Sequence, residues 1–190
     1  METSAEMNGG LVVVIMGVAG AGKSTIGELL SKDLNCPFVD ADDFHPDENK
    51  DKMRNGIPLS EDDRRPWLEK LHDSVAGYLA SGRAAILACS ALRRSYRLVL
   101  RSAADGINPP GNVIFVHLKG PQELFETRLA ARHKEGKHFM PPSLLQSQLD
   151  LLEEEDDTDF ESCFITVDAS LRPDALVSQI KHELYTRHNL

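Results

Sequence analysis

Short runs of apolar residues alternate along the chain with longer stretches in which apolar positions recur every three or four residues. The first run, Leu11-Val12-Val13-Val14-Ile15-Met16, is largely β-branched and has no polar interruption, which is the pattern of a strand buried on both faces of a sheet. Pro37-Phe38-Val39 and residues 84–89, 113–118 and 163–167 are further runs of this kind, so five strands are predicted. Between them the 3.6-residue period predicts helices over 25–34, 47–54, 66–80, 93–103, 121–131, 142–154 and 173–187, several opening on Pro or an acidic first turn. Strands and helices in alternation imply an α/β fold, a five-stranded parallel sheet flanked by helices.

The residues that leave the first strand add chemistry to this outline. Gly17-Val18-Ala19-Gly20-Ala21-Gly22-Lys23-Ser24 fits G-x-x-x-x-G-K-[ST], and Thr25 carries the pattern into a helix, the context that a phosphate-binding P-loop requires. Gly17 permits the turn off the strand, and Gly20 and Gly22 let backbone N–H groups approach a polyphosphate. A helix N-terminus behind them supplies unsatisfied N–H groups and a positive dipole end. Lys23 reaches the β- and γ-phosphates and Ser24 Oγ ligates Mg²⁺. A Gly-rich turn that only reverses the chain leaves Lys23-Ser24 unexplained.

In open α/β sheets ligands bind at the carboxyl ends of strands, so the residues there are the other candidates. The second run ends in Asp40-Ala41-Asp42-Asp43-Phe44-His45, where carboxylates two apart can serve a metal ion and a substrate hydroxyl together; the plainer reading is a solvated Asp-rich turn. The third ends in Ser90, followed by Arg93, Arg94 and Arg97 at the start of a helix, where the dipole disfavours cations and a nearby anion would account for them. An exposed basic face is the alternative. Arg128 and Arg132 share a helical face and run into an aperiodic segment, a combination suited to an adenine-stacking and phosphate-clamping lid over about 132–142. Salt bridges to Glu123 or Glu126 would explain the pair equally simply. Trp67, the sole tryptophan, reads as core, and His45, His117 and His138 lack zinc spacing.

Composition sets outer limits. A length of 190 residues suits one domain with an ample core. The formal net charge of −9 argues against a nucleic-acid partner, so the nucleotide site has to be locally basic. Cys36, Cys89 and Cys163 are odd in number and far apart, which fits reduced, mostly buried thiols. No run is long enough to span a membrane, and residues 1–10 read as a short, disordered polar tail without targeting character, so a cytoplasmic enzyme is expected. The residues leave the oligomeric state open, with a homodimer as one option.

Beyond the P-loop, the stretch Asp40-Ala41-Asp42 with His45-Pro46 and Asn49, the block Lys52-Met53, Gly56, Pro58-Leu59, Asp62-Asp63-Arg64 and Pro66-Trp67-Leu68, and Cys89-Ser90-Ala91-Leu92 with Tyr96-Arg97 closely resemble the gluconokinase family, from about Leu11 to the last helix. The resemblance implies an adenylate-kinase-like or shikimate-kinase-like fold, with a substrate-binding helical region over about 43–80 and a lid after the fourth strand. It implies transfer of phosphate from ATP, with Mg²⁺, to the 6-hydroxyl of D-gluconate, giving 6-phosphogluconate for the pentose phosphate pathway. Lys23 and Asp42 then carry the catalysis, Asp42 as hydroxyl partner and candidate base. Ser24 and Asp40 hold the metal. Asp42, His45, Arg64, Ser90, Arg93 and Arg97 form the substrate set, with Arg64 first for the acceptor carboxylate. Residues 17–25, Arg128 and Arg132 bind ATP. The segment 132–139 is longer than in bacterial members and the acidic end near Glu153 is unlike theirs. Phosphorylation of another hydroxy acid such as shikimate fits the middle blocks poorly, and a nucleotide switch would need an N-K-x-D element that is absent from the sequence.

Overall fold

A computed structural model of the chain describes residues 10–107, 112–136, 141, 143–154 and 163–188. The expected disordered tail therefore falls, but for residue 10, outside the described residues. The strands are β1 (Leu11–Met16), β2 (Phe38–Asp40), β3 (Ala84–Ala88), β4 (Asn112–Lys119) and β5 (Phe164–Asp168). They pair in parallel in the order β2-β3-β1-β4-β5, which puts the most apolar strand at the centre. Ile15 pairs with Ala88 and Met16 with His117, so β1 and β3 finish within one residue of each other, while β4 runs two residues further; the loops that follow open on one edge.

The strands alternate with α1 (Lys23–Asp33), α2 (Asp47–Arg54), α3 (Glu61–Ala80), α4 (Arg94–Ser102), α5 (Gln122–Lys134), α6 (Leu144–Leu151) and α7 (Pro173–His188). The two-residue period of β1 splits the core in two. Val13 and Ile15 pack with Ile26, Leu30, Ile180 and Leu184 on one face of the sheet. Val12, Val14 and Met16 pack with Trp67, Leu71, Leu79 and Tyr96 on the other. All six β1 residues are buried. At about 1.5–3 kcal/mol per fully buried aliphatic side chain, this strand alone contributes on the order of 10 kcal/mol of hydrophobic stabilisation against its ordering entropy.

Three helix boundaries differ from the periodic reading. α3 starts five residues before Pro66, because Ser60 and Asp63 form a reciprocal capping box that satisfies the N-terminal amides. Pro66 then lies in the second turn, where it leaves one intrahelical bond unmade. α5 runs on through Lys134, with its three basic residues complementing the negative helix end. α6 is confined to Leu144–Leu151, within the predicted 142–154, so Glu153 and Glu154 lie beyond its end. Of the cysteines only Cys89 is buried; Cys36 and Cys163 are half-buried, and no disulfide joins any of the three.

Candidate active site

The loop between β1 and α1 has the backbone its glycines were expected to permit. Gly20 has φ +82°, and a Cβ there would meet the Phe125 carbonyl at 2.9 Å. Gly22 caps α1 with φ +99°, and among the described residues the Arg128 guanidinium, at 4.0 Å, is what lies nearest to where its Cβ would be. No side chain of the described residues caps this helix, so its first N–H groups face the cleft as an anion site. Lys23 Nζ donates to the Val18 carbonyl at 3.0 Å, folding the ammonium over the loop. Burial pulls its pKa below the usual lysine range, against the opposing pull of Asp42, Cys89 and Asp40. Gly17 hydrogen-bonds the Ser90 carbonyl, Val18 and Ala21 are buried in the core, and Thr25 is exposed on the first turn of α1.

β2 delivers the carboxylate pair directly beside this loop. Asp40 uses its two oxygens differently: Oδ2 accepts from Ser24 Oγ at 3.1 Å, and Oδ1 accepts from the Asp42 amide at 3.0 Å. The second bond caps the short 3-10 turn Ala41–Phe44 and aims Asp42 into the cleft. Desolvation, reinforced by Asp40, pushes the Asp42 carboxyl up to about 6, with Lys23 pulling the other way. Among the described residues no group of three or more His, Cys, Asp or Glu is placed to hold a metal. Ser24 and Asp40 alone match a magnesium site completed by phosphate oxygens and water.

The other half of the cleft is framed by α2, α3 and the turn after β3. The His45 ring lies flat on Trp67, 4.5 Å between centroids and 9° between planes, and Trp67 Nε1 donates to the Ala41 carbonyl at 2.7 Å. Trp67 is thus core, as expected, and also cleft floor. Burial first, then Arg64 and Lys50, lower the His45 pKa to about 4, so the ring is neutral at physiological pH. Arg64 also lines the cleft. The Glu61 carboxylate gathers Arg64 and Arg93 at 3.4 Å each and the Tyr96 hydroxyl at 2.7 Å. Both arginine contacts are longer than a strong charge-assisted bond. Ser90 lines the cleft, whereas Arg93 stands behind Glu61.

Arg97, expected at the acceptor, is elsewhere. It is fully buried, with Nη1 donating to the carbonyls of Ala91 and Leu92 at 2.9 and 3.1 Å and Nη2 to that of Glu153 at 2.9 Å. Carbonyl oxygens, not a bound anion, explain a cation in the first turn of α4. The side chain of Glu153 in turn accepts from the Arg94 amide, at 2.6 Å. Ala91 sits at φ +43°, a left-handed conformation that costs on the order of 1–3 kcal/mol in a non-glycine residue, and Arg97 holds it there. Arg97→Leu is expected to leave the carbonyls of Ala91 and Glu153 without this donor, while that of Leu92 keeps the Glu153 amide, and to destabilise the fold by about 3 kcal/mol, a fall in Tm of roughly 6–12 °C. Calorimetry of the variant checks this, and an unchanged Tm would contradict the pinning role.

Arg128 and Arg132 share one face of α5, as their spacing predicted. Arg128 donates to the carbonyls of Ala21 and Ala169, bridging the P-loop to the turn after β5, and Arg132 lines the cleft close enough to oppose the charge on Lys23. Of the expected lid, residues 132–134 are the last turn of α5, while 137–140 and 142 lie outside the described residues. Beyond it, α6 contributes a contact that no local motif announced: Gln148 Oε1 accepts from the Ala19 amide of the P-loop at 2.6 Å. Tyr96 and Ser147 also line the cleft. Tyr96 stood in a block with a known likeness; Gln148 and Ser147 had no signal in spacing.

The family described as "AAA domain" matches residues 12–154. A gluconokinase of Arabidopsis thaliana is 47% identical over 175 residues, 90% of this chain and 90% of that protein. The thermosensitive gluconokinase of Escherichia coli (strain K12) is 40% identical over 140 residues, 74% of this chain and 70% of that protein. The solved structure of a gluconokinase from Sinorhizobium meliloti 1021 aligns with a TM-score of 0.71 at 35% identity, covering 96% of this chain and 98% of that one. Shikimate kinase from Aquifex aeolicus, at 18% identity and a TM-score of 0.54 over 92% and 96% of the two chains, shares the fold. Carrying a P-loop kinase cleft on this sheet and so much identity over most of its length, the chain belongs to the gluconokinase family.

Proposed function

We propose that the protein transfers the γ-phosphoryl group of ATP to the 6-hydroxyl of D-gluconate. The observation that carries this reading is Asp40, which joins the hydroxyl of Ser24 on the phosphate side to the amide of Asp42 on the acceptor side. Phosphoryl transfer needs little covalent help from a protein; positioning and charge neutralisation do most of the work. The N–H groups of the P-loop and Lys23 hold the β- and γ-phosphates. Ser24 and Asp40 hold Mg²⁺, which when bound neutralises charge across the phosphate oxygens. Asp42 accepts a hydrogen bond from the acceptor hydroxyl and takes its proton as the new P–O bond forms and the γ-phosphorus bond to the bridging oxygen breaks, releasing ADP. A carboxylate with a pKa of about 6 is mostly ionised at pH 7 and more basic than an ordinary aspartate. Arg128 serves the adenine end and Arg132 the phosphates.

Arg64 is proposed to receive the carboxylate of the acceptor, aided by Ser90 and His45, with Arg93 adding charge from behind Glu61. A guanidinium forks onto a carboxylate through two charge-assisted bonds, and leaving it unmatched in a closed site costs about 2–5 kcal/mol. Gluconate is therefore expected to exceed glucose by at least roughly 30-fold in kcat/KM. Arg64→Ala should weaken gluconate and scarcely alter glucose. Coupled measurement of ADP release over a panel of sugar acids and sugars tests both; equal kcat/KM for gluconate and glucose would end the assignment. Slow ATP hydrolysis that ignores every acceptor would point instead to a nucleotide switch.

A further inference from the structure

We infer that Asn49 sets the tautomer of His45, so that the imidazole presents an Nε2–H donor to an oxygen of the acceptor. Asn49 lies on the buried face of α2, and its Nδ2 donates to the carbonyl of Asp63 at 2.8 Å. A carbonyl only accepts, so the amide nitrogen, not the oxygen, has to occupy that side of the carboxamide. The same nitrogen lies 3.3 Å from His45 Nδ1. With one N–H committed to Asp63, the second points at the ring. An Nδ1–H there would set donor against donor, so Nδ1 has to carry the lone pair. The single proton of a neutral imidazole is then on Nε2.

The surroundings hold this arrangement still. Asp63 is itself fixed, by the capping box with Ser60 and by a 2.7 Å ion pair with Lys52. The ring plane is fixed by Trp67, whose indole is tied to the Ala41 carbonyl one residue before Asp42. With Nδ1 engaged by a buried side chain, the edge of His45 that reaches the cleft is the one bearing Nε2. Arg64 and Lys50 both disfavour a second proton on the ring. The site therefore pairs two unlike donors: Arg64 supplies charge, and His45 supplies one directional, uncharged N–H. Such a donor takes a lone pair from a carboxylate or a hydroxyl and is left unmatched by an acceptor lacking oxygen at that point. Asn49 acts through His45 and is a positioning residue.

This inference rests on the kinase reading for its ligand but not for its spectroscopic test. Nitrogen-15 spectra of the whole protein, with the His45 signals identified by their loss in His45→Gln, are expected to show a pyrrole-type Nε2 and a pyridine-type Nδ1 between pH 6 and 8. A pyrrole-type Nδ1, or an imidazolium at pH 7, would overturn the tautomer. Kinetics test its use. Asn49→Leu is expected to raise KM for gluconate about tenfold, the worth of roughly one hydrogen bond, with a much smaller change in KM for ATP. His45→Gln, whose carboxamide nitrogen stands near the place of Nε2, should keep part of the affinity that His45→Leu loses. In the His45→Gln background Asn49→Leu should cost much less than in the unmodified protein. Equal costs in the two backgrounds would show that Asn49 does not act through the imidazole. If the protein has no gluconate turnover at all, the functional reading fails while the spectra still decide the tautomer.

Discussion

Lys23→Ala is expected to lower kcat/KM by at least about three powers of ten while the protein stays folded. Single preorganised donors aimed at transition-state charge are each worth about 10²- to 10³-fold, and a cation placed on the transferring phosphoryl group reaches roughly 10³- to 10⁵-fold. Lys23 is both: it is half-buried, and its ammonium folds on to the Val18 carbonyl of the P-loop. Its removal should be tolerable for folding, because desolvation disfavours the charged ammonium in the free protein and one carbonyl is its hydrogen-bond partner. Steady-state kinetics alongside thermal unfolding checks the two halves together. Near-normal kcat/KM in a folded variant would remove the P-loop lysine from the mechanism.

For Asp42→Asn the expected loss in kcat/KM is about 10²- to 10⁴-fold, the range for a positioned general base. The same change should stabilise the free protein. A carboxyl whose pKa rises from the usual aspartate range to about 6 on folding keeps its proton in the folded state after the unfolded chain has released it. Stability therefore drains away between about pH 4 and 6, and the full penalty stands above pH 6. Removing the charge recovers on the order of 2 kcal/mol there, after allowance for solvent reaching the side chain. The Tm gain should be roughly 4–8 °C at pH 8 and vanish below pH 4. A variant both slower and more stable is the signature of a group held at a cost for its chemistry. Unchanged kcat/KM for Asp40→Asn and Asp42→Asn alike would reduce the pair to a turn.

The sheet and the P-loop were readable because their causes are local. Residues 11–16 can only be buried on both sides, and 17–24 spell out a backbone shape. The carboxylate pair was readable from strand ends. What stayed hidden depends on residues distant in sequence. Arg97 looks from its own helix like an anion ligand, and only the carbonyl of Glu153, far along the chain, reveals a structural pin. Gln148 lies 129 positions from the amide it holds. The start of α3 was missed for a different reason: Pro66 is a strong local signal for a first turn, but the Ser60–Asp63 box outweighs it. Part of the 52–68 block that marks the family is therefore scaffolding, with Asp63 held as a cap and by Lys52, while Arg64 next to it faces the cleft.

Trp67 is the only tryptophan in the 190 residues, and it lies face to face with His45 in the half of the cleft proposed for the acceptor. All indole fluorescence of the protein thus originates at one spot, beside the imidazole and hydrogen-bonded to the carbonyl of Ala41, the residue before Asp42. The molecule carries its own unlabelled optical gauge, placed in the half of the cleft proposed for the acceptor and remote in colour from an adenine.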